Sequence, residues 1–169
     1  WLEKQKIEVV VPSIYNFFMC SLANTHVHKK FNVIKPKMPL YINDLIFKLV
    51  NGIVKKFDNI CADFKYYRPF ANMMHELDLA SRIINPATNF GEGWMLPAEM
   101  AGFAENNINN IISLQPFGCI ANQVISKGIE KRMKKLYPHT NFLFLDFDSG
   151  MSEANIFNRL HFIAEYSKK

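Results

Sequence analysis

The chain has 169 residues, 49% hydrophobic and 21% charged, which supports one sizeable core and is an ordinary globular composition rather than that of a disordered chain. Its 20 Lys and Arg against 15 Asp and Glu leave a formal charge of +5, a weak preference for an acidic partner. Zinc-finger spacing, an RNP-like strand and a helix-turn-helix signature are all missing, so no nucleic-acid partner is expected. No apolar run approaches the roughly 18 residues that crossing a bilayer requires, and no signal-peptide pattern opens the chain, so no membrane partner is expected either.

The sequence starts at Trp1 without a Met and soon reaches a short apolar run, residues 7–11, closed by Pro12. That run has the pattern of a buried strand, and its position suggests a piece cut from a longer protein. Ser13 can cap the next segment, where Ile14, Phe17, Phe18 and Leu22 recur at helical spacing. Residues 35–39, Lys-Pro-Lys-Met-Pro, break it, because each proline removes a backbone donor and pushes its predecessor out of helix. Leu40, Leu45, Ile46, Leu49, Val50, Ile53, Val54 and Phe57 then trace an apolar stripe, predicting an amphipathic helix packed into the core.

Residues 58–88 read as loop and helix, with a break at Arg68-Pro69 and a helix over 71–84. Residues 89–94 form a turn-rich loop, and a helix over 95–105 follows, with Pro97 tolerated in its first turn. From there the pattern alternates: a strand over 111–115, a helix over 120–136 facing inward through Ile120, Val124, Ile125, Ile129 and Met133, a strand over 142–146, and a last helix. That helix turns Ile156, Phe157, Leu160, Ile163 and Ala164 inward. A crossover of this length implies parallel, right-handed pairing. The fold expected is a single α/β domain over 1–169, a three-layer Rossmann-like open parallel sheet with helices on both faces. Residues 13–88 form a mostly helical insertion, and residues 89–169 a βαβα region carrying the motifs.

Ligands of open parallel sheets bind beyond the carboxyl ends of the strands, which selects the loops 116–119 and 147–152. Cys119 sits between a strand end and a helix start, where unpaired N–H groups favour the thiolate that a metal or iron–sulfur cluster needs. Cysteine is also among the most buried residue types and often only packs, the role expected for Cys20 and Cys61. The three cysteines show no CxxC spacing and leave one thiol over in any disulfide scheme, which fits a reduced, cytoplasmic setting.

Asp146 and Asp148 bracket Phe147 at the second strand end. The strand superficially matches the nucleophile strand of haloacid-dehalogenase-like phosphatases, but only 21 residues follow Asp148, too few for that enzyme's later elements. Asp148, Ser149 or Ser152 can instead cap the last helix. Glu92 lies between Gly91 and Gly93, which marks backbone of unusual dihedrals or close approach, and Trp94 beside it either walls a pocket or anchors the loop. His26 and His28 point to different helix faces and are expected at the surface. Lys127, Lys131, Arg132, Lys134 and Lys135 form a basic helix, a solvated face in the plain reading and a seat for a CoA phosphate or an acidic subunit in the functional one.

Three stretches carry a resemblance: 91–96 with Glu99-Met100, then Gln115-Pro116-Phe117-Gly118-Cys119 followed by Ile120, Ala121 and Asn122, then 146–155 with Asn158-Arg159. In order and spacing they resemble the 2-hydroxyacyl-CoA dehydratase activase-related proteins, strongly after residue 89 and loosely before it. The resemblance implies an uncharacterised dehydratase-like region that, in long members, is joined to an ATP-dependent activase domain that passes an electron to an iron–sulfur dehydratase component. Cys119 matches the family's cysteine and becomes a candidate ligand of a 4Fe-4S cluster, which needs further cysteines from elsewhere. The chain departs from the family at Ala121 and Gln123, where Pro and His are common, and at 149–151, where Pro-Gly-Ala is common. Losing that histidine weakens acid–base chemistry at the Cys119 loop.

The site expected is therefore Cys119 as metal ligand, with Glu92, Trp94, Gln115, Phe117, Gly118, Asn122, Asp146, Asp148 and Ser152 lining the cleft. No catalytic residue is identified, and no complete active site is present. Partners implied are a dehydratase subunit, an attached activase domain and a CoA ester. The alternative expectation is a non-catalytic α/β module in which the same loops bind a small acidic ligand or dock to a dehydratase subunit.

Overall fold

Single side chains start two of the helices. In the computed structural model, which describes residues 1–35, 38–89 and 91–167, the Ser13 hydroxyl accepts the Tyr15 N–H at 3.2 Å and opens α1, Ile14–Phe31. Asn72 Oδ1 accepts from the N–H groups of Met74 and His75 and opens α3, Met73–Ile83. Each cap satisfies donors that a helix start leaves without partners. Between them runs α2, Leu40–Cys61, and after them α4, Met95–Glu105. Pro36 and Lys37 of the expected break and Phe90 of the expected loop lie outside the described residues.

Strands β1, Asn110–Pro116, and β2, Asn141–Phe147, pair in parallel, in register from Asn110 opposite Asn141 to Pro116 opposite Phe147. The connection is a π-helical turn, Ala121–Ser126, followed by α5, Glu130–Leu136. The last element among the described residues is α6, Glu153–Ser167. One apolar cluster joins Met19, Ala23 and Val27 of α1 to Phe47, Met73, Ala80, Trp94 and Ala98. A second joins Leu79 and Ile83 of α3 and Met100 of α4 to Ile111, Ile129, Met133 and Phe144, so the α3–α4 pair links the helical half to the sheet. The result is a helix-rich α/β fold whose sheet has two strands among the described residues. No described helix is long and apolar enough to cross a membrane.

Five expectations need correction. Residues 7–11 are not a strand: the segment is extended, and its one backbone hydrogen bond among the described residues runs from Ile7 N–H to the Leu2 carbonyl. A groove of about 680 Å³ separates this segment from the free edge of β1, so the β-branched side chains find no ladder. In α1 the buried face is Asn16, Met19, Cys20, Ala23 and Val27, leaving Ile14, Phe17 and Phe18 exposed.

In α2 only Asn43 and Phe47 are buried, and Leu45, Leu49, Ile53 and Phe57 face outward. Periodicity finds the apolar face but says nothing of whether the fold has a neighbour to cover it. Beyond β1, the wide π-helical winding shifts the inward face by one residue. Ala121, Ile125, Ile129 and Met133 are buried while Ile120 and Val124 are exposed. The two histidines expected at the surface are half-buried ties: His26 Nε2 lies 3.0 Å from Asp44 Oδ1, and His28 Nε2 lies 3.2 Å from Asn89 Nδ2.

Candidate functional site

The loop bearing Cys119 is built from the end of β1 outward. Phe117 N–H donates to the Phe147 carbonyl at 2.9 Å, a last rung that ties this loop to the one after β2. Gly118 then takes φ +77°, in the left-handed region that glycine enters without steric cost. Cys119 N–H returns to the Pro116 carbonyl at 3.1 Å and closes the turn. The thiol is left half-buried at the mouth of the π-helical turn.

Asn122 Nδ2 donates to Cys119 Sγ at 3.2 Å. That bond, with the N–H groups of Asn122 and Ala121, holds the thiol below its ordinary pKa of 9.0, against opposition from partial desolvation and the charge of Glu92. Each of these donors stabilises the thiolate more than the thiol. Gln115 stands behind the loop rather than in a cleft. It is fully buried, and its Nε2 donates to the Asn122 carbonyl at 2.9 Å, which fixes the residue that touches the sulfur. A buried bond between the Ser113 and Ser126 hydroxyls, 2.9 Å, pins the far end of the same turn to β1. Sequence reasoning missed this pair, and two serines 13 apart gave no signal.

The glycine-flanked loop comes to the same place. Gly91 and Gly93 have φ +61° and +48°, and a Cβ on Gly91 would sit 3.6 Å from Ala121 Cβ. Glu92, carried between them, acts electrostatically on Cys119, Cys20 and Glu99 alike. Trp94 proves to be an anchor and not a pocket wall. It is completely buried, and its Nε1 donates to Asn24 Oδ1 at 2.7 Å.

The second strand-end loop uses its own polar groups. The Asp148 carboxylate accepts the Gly150 N–H, closing a local turn of the kind Asp favours. Ser152 precedes α6, and its carbonyl accepts from Asn155 and Ile156 N–H. Asp146 is half-buried opposite Gln115 in the ladder, while Asp148, Ser152 and Phe117 are exposed. Parallel pairing thus brings the Cys119 loop and the twin-aspartate loop to one edge of the sheet, joined by the Phe117–Phe147 bond.

Among the described residues no three His, Cys, Asp or Glu side chains meet in a metal-holding arrangement. Cys20 is buried, its thiol pushed up to about 12 mainly by desolvation, and so is a packing residue. Two carboxyls lie outside the expected site, Glu76 unnoticed in the sequence and Glu99 noted only within a motif. Burial raises Glu76 and Glu99 to about 7 each. Glu76 falls three residues after Met73 and four before Ala80, both buried, and that spacing was the available signal. The groove beside β1 is lined in part by Val9, Leu96, Glu99, Ile112 and Leu114 and reaches Asn122, next to the thiol. Comparison of the chain with protein-family models, curated proteins and solved structures finds no match.

Proposed function

We propose that the chain is the dehydratase-like region of a 2-hydroxyacyl-CoA dehydratase activase-related protein, with a redox accessory role in which Cys119 binds or contacts a 4Fe-4S cluster. The observation that carries this reading is the thiolate-favouring seat of Cys119: a half-exposed sulfur at a strand end, held by Asn122 and by two backbone N–H groups. Such a sulfur is a competent soft ligand. The described residues supply one such sulfur, so the remaining ligands come from other parts of the assembly, and the donor set fits a contributed ligand rather than a self-contained site. In this reading Glu92 and Asp146 border the cluster, and Gln115 positions Asn122. The Rossmann-like three-layer sheet expected from the strand–helix alternation then requires further strands beside β1, whose second edge has no backbone partner among the described residues.

Anaerobic reconstitution of the protein with iron and sulfide tests it. Cys119→Ser is expected to lower the bound iron and to alter the charge-transfer absorption of the cluster. Equal iron and an unchanged spectrum in the two proteins remove the proposal.

A second reading has its own support. Cys20 is sealed in the core and Cys61 lies at the end of α2, so no second thiol of this chain is placed to join Cys119. On this reading the loops form a non-catalytic seat for a small acidic ligand or a dehydratase subunit, with the lysines of α5 supplying charge. Thermal-shift titration with CoA esters and nucleotides separates the ligand version, for which a rise in melting temperature is expected and no shift with any of them is disqualifying.

A further inference from the structure

We propose that α2 is a self-association surface on which a second copy of this chain docks antiparallel. Tyr41, Leu45, Leu49, Ile53 and Ile60 lie along one side of α2 at near-helical repeats, each between 56% and 79% exposed. Phe57 widens the stripe at its edge and is 49% exposed. The opposite side, through Asn43 and Phe47, is the one that packs on the protein. Exposed apolar patches of a few hundred Å² mark interaction sites on water-soluble surfaces. Six side chains at roughly 100 Å² of exposed apolar surface each give on the order of 600 Å² per copy, close to the ~800 Å² per partner of a standard interface.

Three features select a second copy. The stripe runs most of the length of α2, so another α2 matches it in length and chemistry. An antiparallel pairing centred between Val50 and Asn51 is two-fold symmetric and closes on itself. In that register Leu49 of each copy falls opposite Gly52 of the other, and Gly52 is exposed with nothing within 4 Å of a Cβ built on it. A glycine in the middle of an exposed helix costs about 1 kcal/mol against alanine; here it provides the hollow that a leucine from the facing helix fills.

The same register sets Asp44, which touches His26 of its own chain with its side chain still 60% exposed, within about one turn along the helix axis of Lys55 and Lys56 of the other copy, and symmetry repeats the juxtaposition. Nothing in this surface involves Cys119 or its neighbours, so the inference stands apart from the function proposed above.

Sedimentation equilibrium of the chain is the first test, with twice the chain mass expected at about 0.1 mM. Leu49→Glu is expected to raise the dimer dissociation constant at least tenfold while leaving the helical circular dichroism unchanged, since position 49 is exposed in the single chain. Charge exchange tests the register. Asp44→Lys alone and the Lys55→Glu, Lys56→Glu pair alone are each expected to weaken the dimer, and an equal mixture of the two proteins is expected to restore it as a heterodimer. A monomer at that concentration overturns the proposal, and binding of that monomer to anionic lipid vesicles would assign the stripe to a membrane surface instead. A dimer indifferent to Leu49→Glu, or a mixture that stays monomeric, overturns it equally.

Discussion

Asn122 joins the Cys119 sulfur to the interior of the protein. Its side chain donates to the thiol, and its carbonyl is held by the buried amide of Gln115. The side-chain bond is the largest single influence lowering the thiol pKa. Asn122→Ala removes that bond and leaves the N–H donors in place, so the titration of Cys119 should move up towards the ordinary thiol value without fully reaching it. The pH dependence of iodoacetamide alkylation reads this directly, because only the thiolate reacts. A midpoint identical in the wild type and the variant would show that the side chain plays no part. Ala121 and Gln123 sit on the same turn. Ala121 is buried against the Gly91 loop, where small size is an advantage that sequence comparison does not reveal.

At the scale of elements, the turn between β1 and the π-helical segment depends on Gly118 at φ +77°. No neighbour lies within 4 Å of a Cβ placed there, so Gly118→Ala tests backbone strain alone. The expected loss is about 1–2 kcal/mol in urea unfolding, with a rise in Cys119 reactivity as the turn loosens. No loss of stability would mean that the turn relaxes without strain.

What the sequence made legible follows the range of the forces involved. The ends of α4 were found to the residue and those of β1 and β2 to within one, because turn residues and runs of local pattern define them. The Cys119 turn and its alignment with the second loop followed from strand–helix–strand logic. Residues 7–11 were misread because a short run of Ile and Val, broken only by Glu8, looks the same with or without a strand beside it. The apolar face of α2 was likewise visible, but whether anything covers it depends on tertiary neighbours that periodicity does not encode. The π-helical winding was invisible for a different reason. It is stabilised by Ser113–Ser126 and Gln115–Asn122, bonds between β1 and the turn that follows it, which no local propensity records.

Across the whole molecule, the two halves meet where α3 packs on α4, and that junction contains ionisable groups. Glu76 is 8% exposed, its Oε2 has no hydrogen-bond partner, and a Cβ on Gly102 would lie 2.6 Å from its Oε1. Glu99 is half-buried on α4, held in part by a bond from Asn16. Desolvation is the main reason that both carboxyls rise from 4.5 to about 7, with Glu99 and Glu105 adding repulsion at Glu76 and Glu92 adding it at Glu99. A carboxyl whose pKa is higher in the folded than in the unfolded chain binds more protons when folded across that interval. Its contribution is therefore fully present below about pH 4.5, falls as the pH rises, and is gone above about pH 7. At about 1.4 kcal/mol per unit of pKa difference, each group changes stability by at most on the order of 3 kcal/mol over that window.

Ordinary surface carboxylates act in the opposite sense, so the expected signature is a urea midpoint that falls between pH 5 and pH 7 and levels above it. Glu76→Gln keeps the shape of the side chain and cannot ionise. It should remove about half of the slope and leave the protein more stable at pH 8 than the wild type. A midpoint that rises through that interval, or a variant with the full wild-type slope, would show that the α3–α4 junction admits water freely to the carboxylate and that the buried charge carries no cost.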